Sequence, residues 1–495
     1  MSQRDRFLAA CLALVGMLAA SHTASAAEKP ELTMLFPPGG QVGTTVDILA
    51  QGKFPVWPLK IWTDSPHVQW SCLEESGKLR AEIGPDAELG LHWLRLYEPN
   101  GATDLRPYLI GSSPEAGEVE PNDRADKPQA VDQLPFTIQG VLNKTADVDL
   151  FAVELSEGQL LAATIDSAKW LTSPADISLQ ILDSRGFVLS ENLDHVGLDP
   201  YLEFTAPRAG KYLVRLFGFP ATPNSTIAFS GGSDWVYRLR LETTVAPMSS
   251  AFEFSRQAEL TAPATQLEIG AHTTREQALP VDLPVYVSGT IAEAKQANFV
   301  SFSARSGANY RFRVLARDCG SPLDATLAVL DADGKQLVQM DDVGQDRDPV
   351  LAWKAPADGQ FVVSISDFHH QGGERFAYLL QLEERKPDFS ANVASDLLTT
   401  SVGKELEIVV NVARELDYTG IIRVSIEGLP SSVSCPAVES THGTDSAAKV
   451  TLKLTGSEPF QGPLNIVASS DVEATTRTRQ AGTSDHKPIW LSITP

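Results

Sequence analysis

Ser173-Pro174-Ala175-Asp176-Ile177-Ser178-Leu179-Gln180-Ile181-Leu182-Asp183-Ser184-Arg185-Gly186 is followed 148 positions later by Ser321-Pro322-Leu323-Asp324-Ala325-Thr326-Leu327-Ala328-Val329-Leu330-Asp331-Ala332-Asp333-Gly334. In the first stretch Ile177, Leu179 and Ile181 alternate with Ser178 and Gln180, the period of a half-buried strand that closes on a turn. The match extends both ways. Gly140 falls on Gly289, Asp149 on Asn298, Gly158 on Gly307, Asp194 on Asp342, and Asp199-Pro200 on Asp348-Pro349. Ala206-Pro207 falls on Ala355-Pro356 and Gly210 on Gly359, leading into Tyr212-Leu213-Val214 and Phe361-Val362-Val363. These are turn glycines, turn aspartates and inward-facing strand positions, so they specify a fold and not an active site. Two copies of one β-sandwich are expected over 112–245 and 250–385.

Period-two alternation continues outside the repeat, in Ile408/Val410/Val412, Ile422/Val424/Ile426 and Val450/Leu452/Leu454. With 35 Gly and 32 Pro punctuating short strands, the chain reads as all-β, tandem β-sandwiches. Residues 27–111 and 388–495 each look like an immunoglobulin-like sandwich of about seven short strands. The joints Gly111-Ser112-Ser113-Pro114 and Glu384-Arg385-Lys386-Pro387 are short and polar, which predicts a semi-rigid string of beads.

The 495 residues carry 40 Lys+Arg against 63 Asp+Glu, a formal charge of -23. That excludes a cationic footprint for nucleic acid and disfavours an anionic membrane surface. It suits an extracellular protein that collects hard cations. Residues 1–26 read as a signal peptide: Arg4 and Arg6, an apolar run from Phe7 to Ala20, then Ala24-Ser25-Ala26. After cleavage no membrane insertion is expected, and the address is periplasmic, cell-surface or extracellular. Cys72, Cys319 and Cys435 stand far apart with no CxxC pair, arguing against both zinc and a disulfide framework.

Catalytic signatures are missing: no HExxH, no GxSxG and no Walker lysine. The one histidine pair, His369-His370, would point to opposite faces of a strand. No catalytic residue is assigned, and no organic cofactor.

The segments Glu120-Pro121-Asn122-Asp123, Gly140, Asp147-Val148-Asp149-Leu150-Phe151, Gly158 and Ala209-Gly210-Lys211-Tyr212 resemble the bacterial pre-peptidase C-terminal (PPC) domain, a jelly-roll-like sandwich often attached to secreted peptidases. The resemblance implies the order Ig-like, PPC, PPC-like, Ig-like. Related collagen-binding domains hold calcium through a Glu-x-Glu-x-Asn-Asp run plus aspartates of the next strand. Carried over, the ligands would be Glu118, Glu120, Asn122, Asp123, Asp147 and Asp149, with one Ca2+ in the first copy. The chemistry agrees, since calcium takes six to eight oxygens and crowded carboxylates repel unless a cation sits among them. The same run would also serve as a solvated acidic linker stiffened by Pro121. The second copy has Asn298 for Asp149 and no acidic opening, so no equivalent site is expected there.

Asp331-Ala332-Asp333-Gly334 resembles the start of a calcium loop, but the basic Arg185 in the matching copy favours a hairpin turn. Asp341, Asp342, Asp346 and Asp348 offer a second acidic loop. Trp170, Trp57 and Trp62 are either ligand-stacking aromatics or residues folded onto their own sandwich. The combined expectation is an exported, non-catalytic binding or spacer protein of the cell envelope, contacting extracellular protein or polysaccharide. The alternative is an accessory module of secreted proteolysis.

Overall fold

A computed structural model describes residues 28–195, 197–222, 228–243, 265–317, 321–342, 348–472, 475–483 and 487–495. The expected leader over 1–26, Cys319, Asp346 and His486 lie outside them. The regular elements of the described chain are nearly all strands, arranged in successive, mainly antiparallel sheets that each include at most one parallel pair.

Over 115–242 the chain forms two five-stranded sheets. Counting strands within this unit, one sheet runs first-third-tenth-fifth-eighth and the other second-fourth-ninth-sixth-seventh. Residues 265–385 repeat both orders strand for strand. In the first unit Gly210–Pro220 lies between Val148–Leu155 and Ala175–Asp183, so Val214 and Leu216 meet Phe151, Val153, Leu179 and Ile181 on one inward face. Ile138, Leu161, Ile165, Tyr237 and Leu239 close the core from the other sheet. Each such side chain contributes about 1.5–3 kcal/mol of burial, which pins the register, because a one-residue slip would expose the whole row.

The Asp-x-x-Gly runs are hairpin turns in both units. Asp183 Oδ1 accepts the N–H of Arg185 and of Phe187 (2.9 Å each), and Asp331 Oδ1 accepts those of Asp333 (3.1 Å) and Lys335 (2.9 Å). Gly186 (φ 92°) and Gly334 (φ 85°) take the left-handed step that a side chain would strain. Asp331 is therefore engaged in its own turn.

The flanking modules are sandwiches as well. Residues 31–111 form sheets of four and five strands around Ile48, Leu79, Leu94 and Tyr108; residues 388–494 form sheets of four, three and four strands around Phe389, Ile408, Leu452 and Leu491.

The modules do not lie as beads on a string. Met34 and Leu109 of the first module share an apolar cluster with Val141, Leu171 and Val236 of the first repeat unit. Beside it, Arg238 pairs with Glu115, both side chains almost fully buried. The first module also reaches the last one. The fully buried Arg95 donates to Asp396 Oδ2 at 2.6 Å and to the Thr103 carbonyl at 2.7 Å. Its guanidinium lies 5.7 Å from the Trp490 ring centre, and Trp62 and Tyr97 pack on the same ring. Arg375 of the second unit pairs with Glu203 of the first at 2.9 Å. The physical reason is apolar and aromatic surface on the module faces, which short polar joints allow to meet.

Candidate functional site

The six acidic and amide positions expected to gather do gather, at the edge of the first repeat unit next to its joint with the first module. The segment Glu118–Asp123 runs along the sandwich edge, tied by Glu118 N–H to the Gln139 carbonyl (2.9 Å) and by the Asn122 carbonyl to Leu150 N–H (3.1 Å). Asp147 ends a turn in which its own N–H bonds the Lys144 carbonyl (3.1 Å), and Asp149 is the second residue of Val148–Leu155.

Two halves make up the cluster. In the outer half, carboxylate oxygens of Glu120, Asp123 and Asp147 lie within 4.8 Å of one another. Asp147 is fully buried; its Oδ2 accepts Asn143 N–H at 2.6 Å, while Oδ1 takes no hydrogen bond. Lys144 Nζ lies 3.3 Å from that Oδ1, off hydrogen-bonding alignment, and 3.3 Å from Asp123 Oδ1. In the inner half, Tyr237 Oη lies 2.6 Å from Asp149 Oδ2 and 2.8 Å from Glu118 Oε2. One hydroxyl hydrogen cannot serve both carboxylates. Burial, then the Glu118 charge, pushes the Asp149 carboxyl far above the usual range; burial raises Glu118 too.

Asn122, fully buried, joins the halves. Its side-chain oxygen faces carboxylate oxygens, and turning the amide would instead let its nitrogen donate to Glu120 Oε2 (3.3 Å) and Asp149 Oδ1 (3.1 Å). Nitrogen inward suits the metal-free cluster; oxygen inward adds a neutral ligand and is favourable only with a cation among the oxygens. Three converging carboxylates, one of them fully buried, fit a hard cation bound through oxygen. The donor set contains neither sulfur nor imidazole, which points to calcium chemistry over zinc.

The matching place in the second unit is built from neutral groups. Gly140 backs onto Tyr237 and Glu118 and Gly289 onto Tyr378 and Ile269, so Ile269 stands where the first unit has Glu118. Asn298 replaces Asp149: its Nδ2 donates to Tyr378 Oη (2.9 Å) and to the Thr290 carbonyl (3.0 Å), and its Oδ1 accepts from Gln296 (2.8 Å). Gln296 replaces Asp147, holding the same turn through Glu293 N–H (3.0 Å).

The other candidates are engaged elsewhere. Asp348 is buried and accepts the N–H groups of Ala316 (2.8 Å) and Arg317 (2.9 Å), so it caps a turn and is withdrawn from the acidic loop. Trp170 packs on the cluster between the first module and the first unit, Trp62 on Trp490, and Trp57 on Phe54 with its Nε1 donating to Leu73 O (2.8 Å). His369 pairs with Asp324 at 3.2 Å. Sequence reasoning missed Tyr237 and Lys144. The repeat held the signal for Tyr237, since Val236-Tyr237 matches Ala377-Tyr378, but an unequal loop breaks the constant shift.

The family model for the bacterial pre-peptidase C-terminal domain matches residues 147–218. A "Probable subtilase-type serine protease" of Deinococcus radiodurans is 29% identical over 207 residues, 39% of this chain and 26% of its own, so this chain spans about a quarter of that relative. Among solved structures, the pre-peptidase C-terminal domain of a Bacillus anthracis collagenase matches at 12% identity and TM-score 0.17, covering 25% of this chain and 99% of its own. A periplasmic inhibitor of g-type lysozyme from Aeromonas hydrophila matches at 12% identity and TM-score 0.18, covering 25% of this chain and 100% of its own. No helix among the described residues is long and apolar enough to cross a membrane. The chain thus carries a bacterial pre-peptidase C-terminal domain, matched over residues 147–218.

Proposed function

We propose that this protein is an exported, non-catalytic, multi-sandwich binding or spacer protein of the cell envelope, whose first repeat unit is steadied by one calcium ion. The second repeat unit is read as a PPC-like copy on its identical strand order. The flanking modules are read as Ig-like: the first pairs its first, third, sixth and fifth strands in one sheet, the order of the immunoglobulin A-B-E-D sheet.

The observation that carries the calcium reading is the convergence of carboxylate oxygens of Glu120, Asp123 and the fully buried Asp147 within 4.8 Å of one another, with the Lys144 ammonium 3.3 Å from Asp147 Oδ1. Glu120, Asn122, Asp123 and Asp147 would hold the ion, with Asp149 and Glu118 behind them on Tyr237. Calcium supplies positive charge and directional oxygen ligation, tying the Glu118–Asp123 edge to the strand that follows. Because Glu115, at the joint with the first module, precedes that edge by only three residues, the ion would hold the joint as well as the sandwich.

The test is thermal melting of the full chain in EDTA and in millimolar calcium. A micromolar site stabilises its domain by about 4 kcal/mol at a thousandfold excess over its dissociation constant. An upshift that Asp147→Asn removes supports the reading; identical melting in both buffers sinks it. Partners are extracellular protein or polysaccharide, separable by pull-down on isolated cell wall against secreted protein.

A second reading, an accessory to secreted proteolysis, is favoured by the segment shared with the Deinococcus protease. Labelling of the purified chain by an active-site serine probe would overturn the non-catalytic reading.

A further inference from the structure

The calcium cluster already contains one cation, and it belongs to the chain. Lys144 Nζ lies 3.3 Å from Asp123 Oδ1, 3.4 Å from Asp123 Oδ2 and 3.3 Å from Asp147 Oδ1. These are oxygens of two of the three carboxylates that converge for a metal. The lysine comes from the turn that delivers Asp147, so its position is fixed by the same backbone that fixes the ligand. About half of its side chain is exposed, at 53%, which leaves a path outward into water. In the second unit the same turn carries Glu293, in a place that has lost its carboxylate ligands to Ile269, Gln296 and Asn298. The lysine is present where carboxylates crowd and is replaced by an acid where they do not.

We propose that Lys144 is a tethered competitor for the calcium ion, its ammonium holding Asp123 and Asp147 together until the metal displaces it. This rests on the calcium reading above and adds how that site is set. A divalent ion bonded to Asp123 and Asp147 at calcium–oxygen distances would share oxygens with the ammonium, and the two cations would repel at close range. Lys144 must therefore swing into solvent as the ion enters. The metal-free cluster is spared an uncompensated negative charge, and the affinity for calcium is lowered by the ion pairs that have to break. The first unit stays folded at low calcium and responds only when calcium is abundant.

The experiment titrates calcium alone into the full chain by calorimetry, comparing the wild type with Lys144→Gln and Lys144→Arg, and melts each protein in EDTA. Lys144→Gln should bind calcium about tenfold more tightly, the size of two ion pairs from one half-exposed lysine no longer broken. Its melting temperature in EDTA should fall below the wild type's, while Lys144→Arg stays near the wild type in both measurements. Equal or weaker binding by Lys144→Gln overturns the competitor role while leaving the calcium site standing. Calcium binding by none of the three proteins overturns both.

Discussion

The two repeat units share every strand and every pairing, yet one fills its edge with carboxylates and the other with amides. Around Tyr237 stand Glu118 and Asp149; around Tyr378 stand Ile269 and Asn298. The tyrosine and its glycine partner belong to the sandwich, since both units keep them. The charge belongs to one unit alone. A buried carboxylate pair is costly without a cation or a proton, whereas an amide chain from Gln296 through Asn298 to Tyr378 satisfies itself. The second unit closes its edge with neutral groups that bond one another, whereas the first unit's carboxylates are balanced, on the reading proposed above, by a bound cation.

The strongest way to break this contrast is to charge the neutral edge. Asn298→Asp removes two donors and leaves a buried carboxylate facing the Thr290 carbonyl, and it should cost about 3–5 kcal/mol in urea unfolding. Calcium should not restore the loss, because Ile269 and Gln296 supply no carboxylate. Asp149→Asn in the first unit should behave oppositely: little or no loss in EDTA, where it relieves repulsion with Glu118, and a reduced upshift in calcium. Recovery of Asn298→Asp by calcium would mean that the edge charges alone do not distinguish the units.

What was legible in the sequence follows from distance along the chain. The strands and turns are local, so alternation and Asp-x-x-Gly runs declared them, and duplication doubled the signal. The six ligand candidates lie in two short segments and could be picked out by residue type. Tyr237 could not: it reaches Asp149 across 88 positions, from a strand beyond a loop whose length differs between the copies. Lys144 looked like any surface lysine until the turn placed its ammonium on two carboxylates. The contact between the outer modules was further out of reach, because Arg95 and Asp396 are 301 positions apart and neither carries a local pattern. For Trp170 and Trp62 the sequence offers ligand stacking or packing onto their own sandwich; instead Trp170 packs on a cluster shared with the first module, and Trp62 on Trp490 of the last.

A middle-sized effect should appear where the units agree. Asp199 accepts the N–H groups of Ser167, Ala168 and Lys169, at 2.9, 2.7 and 3.2 Å, and Asp348 accepts two in the second unit. Asp199→Ala and Asp348→Ala should each cost about 1–3 kcal/mol, with Asp199 the larger, because it also steadies the short helix Ala168–Leu171 that carries Trp170 to the first module. Burial pushes Asp199 up to about 7 against the three donors. A folded-state pKa raised in this way contributes stability that is full below about pH 4 and is lost as pH rises through 7. Asp199→Asn should flatten that slope in unfolding measured from pH 4 to 8, and an unchanged slope would remove Asp199 as its source.

The smallest effect concerns the start of an edge strand, where the units differ at positions that belong to neither core. After the matching hairpin turns, the first unit continues with Phe187, Val188 and Leu189, which are 63, 46 and 44% exposed, where the second has Lys335, Gln336 and Leu337. Both strands, Val188–Asn192 and Gln336–Met340, lie at the free edge of their sheets. A free edge invites pairing with another chain, and a lysine beside it is a common guard that the first unit lacks. Replacing Phe187 by Lys and Val188 by Gln should leave unfolding within about 0.5 kcal/mol, since neither side chain fills a core. The same double change should raise the protein concentration at which light scattering begins in metal-free buffer. A drop of several kcal/mol would mean that these apolar residues support the first unit's fold, and that the two edges differ for stability and not for exposure.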